Sequence, residues 1–303
     1  NGSGGSRDLT QKLKAHGHDF GVTDAGATGQ ALVAAAGGSL RIGVPFPFSM
    51  HAELLYYWLS ASGLPAPQSI EIKTVPPPLM ADALKAGEID AFCVGEPWGS
   101  KSVERDVGAL ILPGCAIWSF APEKVLAVRT SWAEAEAELT GRLMRAVWRA
   151  NRWLGQPGTQ TTTAEMLSRP EYLDLAPDII DRSMTGHLVV LPSGETRHCP
   201  GFLKFMDGAA TFPWRSQAAW IATQMASRLG LERSASMEAA KASFRTDLYR
   251  KHLRDVGAIL PGASEKLEGG NTAKTAASSE TGRLILAENR FFDDRVFDPS
   301  PDI

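Results

Sequence analysis

The sequence predicts an α/β protein, on three observations: short β-branched apolar runs, amphipathic stretches between them, and connections of only a few residues. All three are concentrated in residues 39–98. Leu40, Ile42 and Val44 form an apolar run that Pro45 and Pro47 stop, the pattern of a buried strand leaving into a loop. Ser49 is placed to cap a helix, and Glu53 lies in its first turn. Met50, Leu54, Leu55, Trp58 and Leu59 then recur at helical spacing until Ser62 and Gly63 end the pattern. Ile70, Ile72 and Val75 mark a second strand. Pro76, Pro77 and Pro78 open a second helix with Leu79, Met80, Ala83 and Leu84 on its apolar face, and Gly87 closes it. Residues 89–94 read as a third strand. Strand, helix, strand, helix, strand is the sequence form of a parallel βαβαβ unit, whose ligands bind beyond the carboxyl ends of the strands. His51 falls at such a place, in a first helical turn where backbone N–H groups and the helix dipole favour an anion.

Composition narrows the remaining classes. A chain of 303 residues with 44% hydrophobic content has room for one large or two ordinary domains. A net charge of −3 gives no basic footprint, so nucleic acid is not an expected direct ligand. No window of eighteen apolar residues occurs, and therefore no membrane-spanning helix is expected in these residues. Cys93, Cys115 and Cys199 are odd in number and lack metal-ligand spacing, which favours thiols over a disulfide framework. There is no nucleophile with a spaced base, no phosphate loop and no metal set, so no catalytic residue, metal ligand or cofactor is assigned.

Outside the central unit the signals are weaker. Residues 1–6 lack an initiator Met, and their Gly/Ser-rich composition reads as a flexible linker. Residues 7–16 carry a helical pattern on Leu9 and Leu13, and His16 and His18 belong to a solvated turn. Residues 109–112 read as a strand, Pro113-Gly114 as a turn, and residues 125–128 as a strand with Lys124 at its edge. Residues 138–154 form the longest amphipathic helix. Leu139, Leu143, Val147, Ala150 and Leu154 are expected to face the core, with Arg142, Arg145, Arg149 and Arg152 as a solvated basic stripe. Residues 165–182 look helical with breaks at Pro170 and Pro177, and residues 189–199 look like a hairpin with Pro192-Ser193-Gly194 at its tip. His187, His198 and Cys199 are not read as metal ligands, since no fourth ligand or known spacing supports a site, and the two histidines are read as surface residues. Phe212 and Trp214 are expected to plug a core, residues 263–281 to be a loop or mobile tail segment, and Phe291, Phe292 and Phe297 to pin the C-terminal segment.

Six motifs then occur in a fixed order: His51-Ala-Glu-Leu-Leu-Tyr-Tyr-Trp-Leu, Val75-Pro-Pro-Pro-Leu-Met, Gly95-Glu-Pro-Trp, Pro122-Glu-Lys-Val-Leu, Thr211-Phe-Pro-Trp-Arg-Ser and Phe291-Phe-Asp. With them the chain resembles, over nearly its whole length, the nitrate- and bicarbonate-binding proteins of bacterial ABC importers. The cytoplasmic nitrate/nitrite sensors of that family carry the same set. The resemblance implies a periplasmic-binding-protein type II fold, two α/β lobes with the ligand in a cleft. Residues 1–120 would be the second lobe. Residues 121–303 would be the remainder of the first lobe and a C-terminal helical and tail region, so the first lobe is expected to lack its N-terminal half.

The same resemblance implies an anion site made by His51, by Ala52 standing where Gly is common, by Lys124 and by Gln11; a Trp contact of the family would fall before residue 1. Glu96, Trp98 and Glu123 take hinge or supporting positions, although Glu96 would be a ligand in a bicarbonate or metal-assisted site. A small monoanion needs convergent donors, and a charge pair at ~4 Å contributes about 4 kcal/mol at an effective dielectric near 20. The function implied is capture of nitrate or nitrite, less readily bicarbonate, for a membrane permease, in the periplasm or on the outer face of the membrane. The alternative is a cytoplasmic sensor that releases an antiterminator protein, with the stripe from Arg142 to Arg152 as its contact. An enzyme on the same fold, of the pyrimidine-precursor synthase type, is disfavoured by the missing catalytic sets.

Overall fold

In the computed structural model, which describes residues 2–300, the Gly/Ser-rich start of the chain is not a linker but an interior strand. It is β1 (Gly2–Ser6), followed by α1 (Arg7–Ala15), α2 (Ala25–Ala36), β2 (Leu40–Val44), α3 (Met50–Ala61), β3 (Ile70–Thr74), α4 (Met80–Lys85), β4 (Ala91–Val94), α5 (Trp98–Glu104), β5 (Gly108–Pro113) and the single turn α6 (Gly114–Ile117). The strand order is β3-β2-β4-β1-β5. β2 pairs in parallel with both β3 and β4, as the βαβαβ reading requires, whereas β1 runs antiparallel to β4 and β5. Gly4 stands opposite Phe92 on β4. A β-carbon there would meet the Phe92 ring at 2.5 Å, and one on Gly5 would meet Ile111 at 2.8 Å. Neighbouring side chains thus fold across a strand that has almost none of its own, and composition alone mimics a linker.

The chain divides into two compact units. The first comprises the residues up to Ser119, Gln160–Leu203 and Phe291–Asp293; the second comprises Phe120–Thr159, Lys204–Arg290 and the residues from Asp294. In the first unit α3 is buried on every side from His51 to Leu59, which explains why its apolar residues outnumber those of a one-faced helix. α2 was hidden in a Gly/Ala-rich stretch. Asp24 Oδ1 accepts from the Ala27 N–H at 2.8 Å to start it, and Ala25 C=O accepts from the Trp58 indole at 2.8 Å to hold it on α3. The later stretch adds the helices Gln160–Leu167 and Pro177–Thr185 and the hairpin of His187–Val189 with Thr196–His198. The Leu110 N–H donates to Val190 C=O at 2.9 Å, which ties this stretch to β5. Phe291 lies 4.8 Å from Trp118 and 5.3 Å from Tyr57, and Asp293 accepts from the Tyr57 hydroxyl at 2.7 Å.

The second unit contains α7 (Thr130–Ala135), α8 (Ala137–Leu154) and the helices Arg215–Leu229, Arg233–Ser243 and Thr246–Leu253. Its core gathers Phe120, Trp148, Phe212, Trp214, Tyr249, Leu253 and Leu260, with Phe212 edge-on to Trp214 and Tyr249 at 4.9 and 5.1 Å. The aromatic plug is therefore where the sequence places it. Three expectations are corrected here. On α8 the buried residues are Thr140, Gly141 and Trp148, while Leu139, Leu143 and Val147 are exposed, because the helix carries two apolar stripes and only the one with Trp148 meets the core. Residues 125–128 form no strand, since no ladder partner stands beside them among the described residues, and Val125, Leu126 and Val128 are exposed. Residues 263–281 are built into the body. Thr275–Ala277 and Ser279–Thr281 pair with Leu284–Leu286 and Leu260–Pro261, and Glu268 exchanges both backbone bonds with Phe297.

Two outcomes test these assignments by urea unfolding. Gly4→Val forces a side chain into the Phe92 ring and should cost about 1–3 kcal/mol. Trp148→Ala should cost about 3–5 kcal/mol, whereas Leu143→Lys on the exposed stripe should stay within about 0.5 kcal/mol of the parent.

Candidate functional site

β2 and β4 are parallel neighbours, so the segments that leave their carboxyl ends emerge side by side. From β2 the chain turns into α3. Ser49 caps it, accepting from the Ala52 N–H at 3.3 Å and donating to Phe46 C=O at 2.7 Å. This fixes His51 in the first turn, where it is 3% exposed beside the fully buried Ala52. From β4 the chain passes through Gly95 and Glu96. A β-carbon on Gly95 would stand 3.7 Å from His51 Nε2, so the imidazole edge faces the backbone that follows β4.

Glu96 folds back onto the start of α5. The Ser100 N–H donates to its Oε2 at 3.0 Å, and Gly99 makes room, since a β-carbon there would overlap Oε1. Burial pushes the Glu96 carboxyl above its usual range, and the hydrogen bonds from Ser100 oppose this without reversing it. The Glu96–Pro97 peptide is cis. Trp98 packs against the cluster of Met80, Leu84, Ile89, Phe92 and Val94, and the Lys101 ammonium lies 5.0 Å from the centre of its ring. Glu96 and Trp98 thus fasten the start of α5.

Gln11 is an exposed residue of α1, which begins at the sheet end opposite Gly95 because β1 runs against β4. Lys124 and Glu123 belong to the second unit; the Lys124 side chain is 80% exposed, and its Nζ lies 2.5 Å from Glu123 Oε1. The His187 and His198 rings stack at 4.4 Å across their hairpin. Among the described residues no group of three or more His, Cys, Asp or Glu side chains is placed to hold a metal ion.

Sequence reasoning missed a buried polar cluster in the second unit. Glu268 is wholly buried and accepts from Ser216 Oγ at 2.6 Å, Asn289 Nδ2 at 2.7 Å and Lys266 Nζ at 2.5 Å. Burial pulls the Lys266 ammonium below its usual range and Glu268 opposes this. A cavity of about 160 Å³ beside it is lined by Phe120, Lys266, Asn271 and Asn289. Ser216, two residues after Trp214 at the end of the Thr211-Phe-Pro-Trp-Arg-Ser motif, was the one available signal.

Comparison with known proteins places this geometry. The chain matches the crystal structure of the periplasmic nitrate-binding protein NrtA from Synechocystis with a TM-score of 0.80, over 98% of this chain and 71% of that one, at 23% identity. The fold is that of the periplasmic solute-binding proteins. A family model described as the NMT1-like family matches residues 8–168, more than half of the sequence, and the chain belongs to that family. Among curated relatives it is similar to the nitrate/nitrite binding protein NrtA of Synechococcus elongatus, with 27% identity over 224 residues, 74% of this chain and 51% of that protein. It is also similar to the bicarbonate transport ATP-binding protein CmpC of Synechocystis, with 32% identity over 229 residues, 74% of this chain and 33% of that protein. The chain spans about half the length of the NrtA relatives that it matches.

The raised Glu96 carboxyl gives a stability test. The folded state holds this proton more tightly than the unfolded state, so the contribution of Glu96 is most favourable in acid and is lost as pH rises through the folded value. Glu96→Gln should therefore gain on the parent in urea midpoint as pH rises from about 4 to 7. A constant difference over that range would mean that burial does not perturb this carboxyl.

Proposed function

We propose that this chain is the solute-binding part of a bacterial importer for a small oxyanion, nitrate or nitrite, and that it binds without catalysing a reaction. The observation that carries the reading is the buried His51 in the capped first turn of α3, beyond the carboxyl end of β2 and against the backbone that leaves β4. Such a place offers an imidazole and helix-start N–H groups to an anion and excludes water around them. The likeness to nitrate/nitrite binding proteins supports the ligand class. In this reading the first unit is the second lobe of the family, and Ala52 and Lys124 are further contacts, with Lys124 supplying the compensating charge; Gln11, on the helix that begins at the far end of the sheet, is not among them. A permease and its ATP-binding subunit are the partners, and the periplasm or the outer face of the membrane is the place of action.

Bicarbonate is the second reading, favoured by the 32% identity to a bicarbonate transport protein. Isothermal titration with nitrate, nitrite and bicarbonate separates the two. Saturable nitrate or nitrite binding is expected, with His51→Gln and Lys124→Ala each weakening it at least tenfold, about 1.4 kcal/mol, while circular dichroism stays unchanged. Binding of bicarbonate without competition by nitrate moves the assignment to the second reading, and heat from none of the three ends both.

A further inference from the structure

We infer that Cys115 and Cys199 are an oxidation site, a thiol pair that closes to a reversible disulfide inside the first unit. Their sulfurs lie 3.3 Å apart although the residues are 84 positions apart in the chain. Both cysteines sit on backbone that is already fixed. Cys115 is in the turn α6, whose Gly114 C=O accepts from the Trp118 N–H at 3.0 Å, and Trp118 itself is fully buried. The Cys199 N–H donates to Gly186 C=O at 2.8 Å, and Cys199 C=O accepts from the Phe202 N–H at 3.2 Å, directly after the strand Thr196–His198. Closing from 3.3 Å to the ~2 Å of a bonded pair brings the two sulfurs together by little more than about 1 Å.

The two thiols differ in access, which sets the order of the chemistry. Cys115 is half-buried and Cys199 is buried. A low-molecular-weight disulfide is the oxidant. The Cys115 thiolate attacks one of its sulfurs, expelling one thiolate and leaving a mixed disulfide on Cys115. The Cys199 thiolate then attacks the Cys115 sulfur and expels the second small thiolate. Two protein thiols lose two protons and two electrons, and one small disulfide becomes two thiols. Cys93 takes no part, since it lies on β4 inside the sheet and is 4% exposed.

The location gives the bond a consequence. Cys115 stands a few residues before Ser119 and Cys199 a few residues before Leu203, two of the three points where the chain passes from the first unit to the second. The disulfide joins the first-unit ends of these two passages.

The test treats the reduced protein with oxidised glutathione, quenches in acid, unfolds it and alkylates the remaining thiols for intact mass. One alkylated cysteine is expected in place of three, with a peptide cross-link between residues 115 and 199 and return to three after dithiothreitol. The oxidised form should melt roughly 5–10 °C higher, because the bond closes a long loop of the unfolded chain. Cys93→Ser should oxidise like the parent, to no alkylated cysteine, and Cys115→Ser should form no internal bond. Three alkylated cysteines after oxidation, or a cross-link to Cys93, would overturn the assignment.

Discussion

The first unit depends on β1, a strand that runs against both of its neighbours. Without it β4 and β5 would face each other across an unfilled gap, each with a row of unpaired N–H and C=O groups. β1 fills both rows at once, and its glycines leave the space that the Phe92 and Ile111 side chains occupy. The backbone of this strand and the side chains of its neighbours therefore form one object. β1 also holds β4, the strand whose carboxyl end carries the Gly95 backbone that faces His51.

At that end of the sheet the chain concentrates polar groups that would ordinarily seek water. His51 and Glu53 are buried in one helical turn, and the Glu96 carboxyl is pushed up by its surroundings. Burial of this kind strengthens the polar interactions these groups make with one another and with the backbone around them. The second unit solves a similar problem differently. There Lys266 and Glu268 neutralise one another within a shell of Ser216 and Asn289, so the cluster holds the 260–290 region together.

Much of this was legible in the sequence, and the exceptions have physical reasons. The βαβαβ core could be read because β2, α3 and β4 obey local periodicity, and His51 because its place follows from a strand end and a capping serine. β1 could not, since its strand character comes from cross-strand side chains and its own residues carry no apolar signal. On α8 the pattern was right and the face wrong: two apolar stripes exist, and only tertiary packing selects Trp148 over Leu143. The 263–281 segment owes its order to Glu268 and to pairing with distant residues, none of which leaves a local mark. The Cys115 and Cys199 contact is likewise invisible to spacing. Lys124 and Gln11 entered through family resemblance alone.

Phe291 and Asp293 belong to the first unit although nearly all residues before them since Leu203 belong to the second. Tyr57 and Trp118, which they cover, are made long before them. During synthesis the first unit therefore stays uncovered at these two aromatic residues until some 170 further residues have emerged after Trp118. Until then these two rings present apolar surface that only a segment far along the chain can cover.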